Sequence, residues 1–361
     1  MLAMLLLAPG WAGAETHTNL QAVTATGTSA WSGTHPFTLR GVLLCNPDDM
    51  LDPTPNYLPY NDGENLGRMG GQWQIAFQAV EPGDRGGTFC WMGQNYGNLS
   101  WIRNSDLSYT NEAWTAEILR LSFDPATMRP FRAGDLIEVT ARRSLFFGGK
   151  RNINEAHGID PTNNFEIRLL VAGYGLPAPE VITLADVKRA DNTDIFDPTR
   201  ASGGEYYQGM RVRINNLTLL TTNGWNPTNA WGNRLCTATD GTGRTFPLRH
   251  PRYSLGPPPS GSFDAIGIFN QESGSGIQGT NGYELFVQQV IPRDPPHLSI
   301  AARAAISWPT NGATYVLEYA NEPGSTNWSV LTNAPVTIEG RNTVLDDLTV
   351  PQRYYRLRRT N

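Results

Sequence analysis

The sequence predicts an all-β protein with two small β-barrels in tandem and a C-terminal β-sandwich module. Three observations lead to this fold class. The 361 residues include 37 glycines and 26 prolines but only 17% charged residues, a balance that favours short strands and turns over long helices. Apolar residues alternate with polar ones in short runs, which Gly, Asn, Asp and Pro separate. The chain is also too long for one ordinary core. We therefore expect two or three domains and almost no α-helix.

The first residues have the pattern of an export signal. The apolar run from Leu2 to Ala8 is too short to span a bilayer, and small residues at 12–14 form a cleavage pattern. Residues 1–14 therefore predict a signal peptide, and no later segment has the ~20 apolar residues of a membrane span. We expect a protein that is secreted, periplasmic or located at the cell surface.

Residues 35–173 predict the first barrel, after an extended polar lead-in at 15–34. Its strands alternate apolar and polar residues, as in Q-W-Q-I-A-F-Q, and a Gly148-Gly149 turn has the local chemistry of a tight hairpin. The run W-T-A-E-I-L-R-L-S-F-D at 114–124 is placed in the same series. We expect six strands and no helix in this domain.

Residues 205–291 predict the second barrel, which follows a connector and an acidic loop at 174–204. Its central strand puts apolar and polar side chains on opposite faces, a pattern carried by Met210, Val212 and Ile214 against Arg211, Arg213 and Asn215. Five short strands of this kind make a small barrel.

The last part of the chain predicts a separate module. Residues 292–297 form a proline-rich linker, and residues 298–361 contain short strand patterns at spacings typical of a small β-sandwich. Trp308 and Trp328 are the expected core anchors of this module.

Two resemblances to known families bear on this organisation. The pattern L-P-A-P-E-V-I-T-L-A-D, followed by Y-Y-Q-G-M-R-V-R-I-N-N-L-T-L and A-T-D-G-T-G, resembles the OB-fold-like domains of exported bacterial proteins over residues 176–291. G-D-L-I-E-V-T and N-I-N-E resemble the end of a more divergent copy over residues 35–173. The ending, with I-S-W-P and Y-V-L-E-Y-A, resembles the fibronectin-III-like or immunoglobulin-like module of exported verrucomicrobial and planctomycete-type proteins. The resemblances imply two OB-like barrels and bring no obligatory catalytic residue.

The loops of the second barrel contain the candidate ligand-binding residues. OB-folds bind ligands on the face of strands 2 and 3 and between the loops that join strands 1 to 2 and 4 to 5. The first of these loops has two tryptophans in a polar segment, and exposed aromatics with arginines can stack on sugars or bases. The candidates are Trp225, Trp231, Arg234, Arg244, Arg249 and Tyr253. The alternative is that both tryptophans cap an open barrel end.

The cysteines leave two interpretations open. Cys45, Cys90 and Cys236 lie far apart and form no C-x-x-C motif, which argues against a zinc site. In an oxidising compartment Cys45 and Cys90 could form a disulfide, with Cys236 as a small buried hydrophobe. The alternative is simple burial of all three.

No motif of catalysis or metal binding is evident in the sequence. It contains no H-x-x-x-H pair and no G-x-S-x-G elbow, so we expect no catalytic residue, no metal and no cofactor. The nearest approach to a metal set is Glu155, His157 and Asp160, which we interpret as a solvated turn and not as a metal site. Asp191, Asp194 and Asp197 lack the spacing of a calcium loop.

The net charge of −5 and the pI of about 5.6 give no basic field for phosphate backbones. We therefore expect a non-enzymatic exported protein of the cell envelope or extracellular space, a binding or structural module with a glycan or cell-surface partner. The alternative is an accessory nucleic-acid-binding protein of the OB-fold kind, associated with extracellular nuclease activity.

Overall fold

The computed structural model describes residues 15–274, 276–293, 303–310, 314–347, 350 and 352–360. Strands make up 36% of the chain and helices 11%, so the all-β class is confirmed. The chain divides into two compact units, Met1–Asp294 and Pro295–Asn361. The predicted signal peptide at 1–14 lies outside the described residues, as does most of the predicted linker. In the described part, no helix has the length and apolar character needed to cross a membrane.

Both predicted barrels lie in the first unit, and the two sheets of the second unit follow them. The helices are α1 His17–Leu20, α2 Asn111–Ser122 and α3 Gly203–Tyr207. The strands of the first barrel are β1 Phe37–Leu43, β2 Gln72–Gln78, β3 Gly87–Gly93, β4 Leu136–Ala141, β5 Ser144–Phe147, β6 Lys150–Ile153 and β7 Glu166–Val171. Those of the second are β8 Glu180–Ile182, β9 Arg211–Leu219, β10 Leu235–Thr239, β11 Thr245–Arg249, β12 Phe263–Gln271 and β13 Tyr283–Pro292. The second unit has β14 Arg303–Pro309, β15 Tyr315–Ala320, β16 Ser329–Val330, β17 Val336–Ile338, β18 Arg341–Asp347 and β19 Tyr354–Arg359.

The first sheet has the order β5-β6-β3-β2-β1-β4-β7, with β3 and β6 parallel and the other pairs antiparallel. Only Arg142 and Arg143 separate β4 from β5, so these two strands form one bent segment. This segment pairs with β1 at one end and with β6 at the other, and the sheet therefore curls around its core.

Helix α2 corrects the prediction that the first barrel contains no helix. The Thr110 hydroxyl caps its N-terminus by accepting a hydrogen bond from the Ala113 amide. The helix buries Trp114 and Leu121 and packs Ile118 against the same core, a spacing of four and three residues that fits a 3.6-residue period. The run is rich in apolar residues, as a strand would be, but its buried residues follow the period of a helix.

The second sheet has the order β10-β11-β13-β12-β9-β8, and an additional pairing of β10 with β9 closes five strands into a barrel. In β9, Val212 and Ile214 are buried, as their alternation predicts. Asn216 adopts a left-handed φ of 60° and β9 shifts register against β12 at this point. Leu217 consequently faces the core although strict alternation would expose it.

The N-terminal segment is part of the first barrel and not an extended lead-in. Leu20 of α1 lies in the barrel core. The buried His17 ring makes hydrogen bonds with the Thr88 hydroxyl and the Arg40 carbonyl, both at 2.9 Å. Helix α1 of the segment 15–34 therefore packs into the first barrel.

The two barrels pack together through a shared apolar cluster and a close backbone contact. The cluster, called the inter-barrel cluster below, consists of Leu44, Cys45, Met50, Leu51, Ala76 and Phe89 from the first barrel and Ile268 and Phe286 from the second. The Gly87 amide donates to the Gln208 carbonyl at 3.0 Å. A Cβ on Gly209, whose φ is 72°, would lie 2.4 Å from the Gly87 carbonyl carbon, so only glycine fits this contact.

The second unit consists of two three-stranded sheets, β14-β18-β17 and β16-β15-β19. Trp308 and Val344 from one sheet and Leu317 from the other form its core, as expected for a sandwich. Trp308 is thus a core anchor. Trp328 is only half-buried, and the Arg356 guanidinium lies 4.3 Å from its ring centroid.

The three cysteines are buried free thiols, and the predicted Cys45–Cys90 disulfide is wrong. Cys90 on β3 faces the core of the first barrel, whereas Cys45, just after β1, belongs to the inter-barrel cluster. Strand β2 lies between them, which places the two cysteines about two strand spacings of ~4.8 Å apart. A disulfide needs Cα atoms within ~7 Å of each other.

We expect the folded protein to resist iodoacetamide and the unfolded protein to take up three carbamidomethyl groups without reductant. Burial raises the pKa of the Cys45 and Cys90 thiols, so little thiolate is present in the folded state. Intact-mass spectrometry before and after guanidinium treatment counts the groups. Uptake of a single group after unfolding would restore the disulfide.

Candidate functional site

A pocket with a volume of about 240 Å³ lies between the outer face of the first barrel and the second barrel, beside the inter-barrel cluster. We call it the inter-barrel pocket. Its aromatic walls are Trp91, Trp101, Trp231, Phe147 and His157, and its carboxamides are Gln72, Gln74, Asn152 and Asn154. Leu51, Met69, Leu99, Lys150 and Glu272 complete the lining.

Strand alternation places the carboxamides in the pocket. On β2, Trp73 and Ile75 point into the barrel core, so Gln72 and Gln74 point outward. On β6 the same period directs Asn152 outward, while Ile153 is buried in the core. The strands β2 and β6, which flank β3 in the sheet, therefore present polar groups to the same cavity.

Gln74 is the most informative of these residues because it is only 4% exposed. Its carboxamide makes no hydrogen bond with any residue that the structure describes. The buried Oδ1 atom of Asn152 likewise has no partner in the described part of the chain. A buried polar atom without a partner, such as Asn152 Oδ1, costs ~1 to 3 kcal/mol. The Gln74 carboxamide lines the pocket, so both groups are available to a molecule there.

A tight turn positions the His157 ring in the aromatic wall of the pocket. Ala156 and His157 both have left-handed φ angles, 55° and 58°, and the Ala156 amide donates to Asn154 Oδ1 at 2.8 Å. Left-handed backbone costs a non-glycine residue ~1 to 2 kcal/mol. The turn holds the His157 ring nearly perpendicular to Trp91, with ring centroids 5.5 Å apart and an angle of 84°. Burial lowers the pKa of His157 to about 4, so the ring is neutral at pH 7.

Trp101 lies at the mouth of the pocket, where its side chain is 63% exposed. Its ring centroid is 5.8 Å from that of His157, with a 43° angle between the planes. The indole is thus in contact with the pocket and open to solvent at the same time.

The charged groups that line the pocket are paired with each other. Lys150 is buried and its ammonium donates to the Gln271 carbonyl and, at 2.8 Å, to Glu272 Oε1. Lys150 belongs to the first barrel and both acceptors belong to the second. Among the described lining residues the pocket therefore has no unpaired cation.

Of the six predicted binding residues, only Trp231 lines the pocket. Arg249 forms a bidentate ion pair with Glu284 at 2.8 and 2.7 Å and lies 4.0 Å from the Trp231 ring centroid. Arg234 is buried and donates to the His250 and Met50 carbonyls at 2.9 and 2.5 Å. Both guanidinium groups are therefore engaged by hydrogen-bond partners within the protein.

The other three candidates lie away from the pocket. Trp225 is 8% exposed, belongs to the core of the second barrel and donates its indole N–H to the Gly256 carbonyl at 3.0 Å. Arg244 donates to the Lys188 carbonyl at 3.1 Å, and Tyr253 donates to the Gln288 carbonyl at 3.2 Å. The barrel-capping alternative thus describes Trp225, while Trp231 contacts the pocket.

The predicted cluster of Glu155, His157 and Asp160 is split by the structure. His157 lines the pocket, Glu155 is fully buried and Asp160 caps a short helical turn. No group of three or more potential metal ligands occurs in the described residues. In Q-W-Q-I-A-F-Q, glutamines alternate with apolar residues. This alternation was the one sequence signal that could have indicated the pocket.

Glu155 is buried in the first barrel, and the charge of Glu117 on α2 acts on its carboxyl group. The Tyr109 hydroxyl donates to Glu155 Oε2 at 2.6 Å, and Arg120 binds both oxygens of Glu117. The pKa of Glu155 is raised to about 8, above all by burial and further by the charge of Glu117. The hydrogen bond from Tyr109 lowers this pKa but does not outweigh burial. Glu155 is therefore mostly protonated at pH 7.

No protein-family model matches this chain, and no curated protein sequence matches it.

Proposed function

We propose that this chain is a non-enzymatic binding protein that acts outside the cytoplasm and holds its ligand in the inter-barrel pocket. The export pattern at the N-terminus supports the location. One observation supports the site above all others: Gln74 is only 4% exposed, and its carboxamide lines an aromatic pocket without a partner among the described residues.

The contrast with Gln94 strengthens this interpretation. Gln94 is also buried in the first barrel, but its Oε1 accepts from the Asn56 and Gly71 amides at 2.6 and 3.1 Å. Its amide nitrogen donates to Asn111 Oδ1 at 2.9 Å. The carboxamide of Gln94, which has a structural role, therefore finds hydrogen-bond partners within the first barrel. The carboxamide of Gln74 has none among the described residues.

The nucleic-acid alternative receives less support from the charges. Binding to a phosphate backbone requires cations that face the ligand. Lys150 is paired with Glu272, and the guanidinium groups of Arg234 and Arg249 are occupied by carbonyl and carboxylate partners. A neutral ligand fits this pocket better than an anionic one.

Gln74→Leu and Gln94→Leu form a matched pair that tests the site without knowledge of the ligand. We expect Gln74→Leu to leave the unliganded protein as stable as the wild type or up to ~1 kcal/mol more stable, because it removes an unpartnered polar group. Gln94→Leu should lose at least ~2 kcal/mol, since two backbone amides lose their acceptor. Urea unfolding measures both. Equal losses in the two variants would give Gln74 a structural role and overturn the proposed site.

A further inference from the structure

We infer that the inter-barrel pocket binds a neutral sugar, held by its ring; this inference rests on the binding function proposed above. A pyranose ring has apolar C–H faces and a rim of hydroxyl groups, each of which both donates and accepts hydrogen bonds. The site must therefore combine aromatic surfaces, groups that donate and accept, and no excess charge.

The aromatic surfaces come from both barrels and from the mouth of the pocket. Trp91 lies on β3 of the first barrel, and Trp231 precedes β10 of the second. Trp101 at the mouth is exposed although it is one of the most apolar side chains of the pocket. These indoles give a ring a surface to stack on at the entrance and walls inside.

The polar groups match hydroxyls in kind. Gln74 and Asn152 each offer an N–H donor and a carbonyl acceptor a few ångströms apart, the combination that a hydroxyl or a pair of vicinal hydroxyls satisfies. The Glu272 carboxylate at the edge, already paired with Lys150, would repel an acidic sugar.

The wall geometry argues against a nucleobase. A flat base is held best between parallel aromatic planes, but Trp91 and His157 are inclined by 84°, and Trp101 and His157 by 43°. Inclined walls suit a puckered ring. The volume of about 240 Å³ lies below the ~300 to 1,000 Å³ of pockets for drug-sized ligands, which limits the buried part to about one ring.

The test is an array of immobilised neutral, amino and acidic glycans, probed with the full chain and its Trp101→Ala variant. We expect the wild type to be retained on neutral glycans, and Trp101→Ala to weaken binding by ~5- to 150-fold, the loss of one stacked ring. Tyr174→Ala is the matched control, since its 54% exposed ring lies outside the pocket lining; it should bind as the wild type does. Free adenosine, cytidine and their monophosphates are titrated in parallel by tryptophan fluorescence.

The outcomes separate the sugar assignment from the pocket itself. Binding of nucleosides or acidic glycans that Trp101→Ala abolishes would overturn the sugar assignment and leave the pocket as the binding site. Absence of binding to every neutral glycan also overturns the assignment, and the Gln74→Leu stability result then decides whether the pocket stands. Binding of neutral glycans that neither Trp101→Ala nor Gln74→Leu alters would overturn both.

Discussion

Replacing Glu155 with Gln is expected to make the protein up to ~5 kcal/mol more stable than the wild type at pH 8, with little difference at pH 4. The folded-state pKa of Glu155 is about 8, raised from its ordinary value of 4.5. Between these values the folded state binds more protons than the unfolded state, so wild-type stability falls as the pH rises. About 3.5 pKa units at ~1.4 kcal/mol each give the stated limit.

The glutamine side chain should preserve the local contacts. Its carbonyl can accept from the Tyr109 hydroxyl as Glu155 does, and its amide is neutral beside the charge of Glu117, as protonated Glu155 is. Urea unfolding at pH 4, 6 and 8 measures the difference. Glu112→Gln, an exposed glutamate in the first turn of α2, is the control and should show no such trend. Parallel pH profiles for Glu155→Gln and the wild type would contradict a protonated Glu155.

Trp225→Ala should cost ~3 to 5 kcal/mol of stability, because it truncates a large aromatic side chain in the core of the second barrel. The ring also packs edge-on against His250, with centroids 5.0 Å apart. Trp231→Ala, only six residues away, should cost markedly less, since its half-buried ring faces the pocket and the Arg249 guanidinium.

Ligand binding should respond in the opposite order. Trp231→Ala removes a wall of the inter-barrel pocket, whereas Trp225 lines no part of it. Thermal melts and binding titrations of both variants measure the two effects. Similar stability losses for Trp225→Ala and Trp231→Ala would mean that both rings cap the barrel.

The strands were predictable because their period of two reports a local property, the alternation of buried and exposed side chains. Helix α2 was missed, although Thr110 and the spacing of Trp114, Ile118 and Leu121 follow the rules of a capped helix. Its short apolar run fits a strand or a helix until the period is counted.

The pocket was beyond sequence reasoning for a different reason. Gln74, Asn152 and Trp231 are separated by about eighty residues each, and only the packing of one barrel on the other brings them together. The different environments of Trp225 and Trp231 have the same origin, since a helical turn at Trp231–Asn233 redirects the chain between core and pocket. Both residues belong to one polar loop, in which local composition is the same.

The contacts between the two barrels determine how a ligand enters and leaves the inter-barrel pocket. Lys150 joins the first barrel to Gln271 and Glu272 of the second, and the backbones at Gly87 and Gly209 lie too close for any side chain. These contacts hold the two barrels together beside the pocket. Ligand exchange should therefore depend on rotamer changes at the entrance, above all of Trp101, and proceed faster than a domain opening would allow.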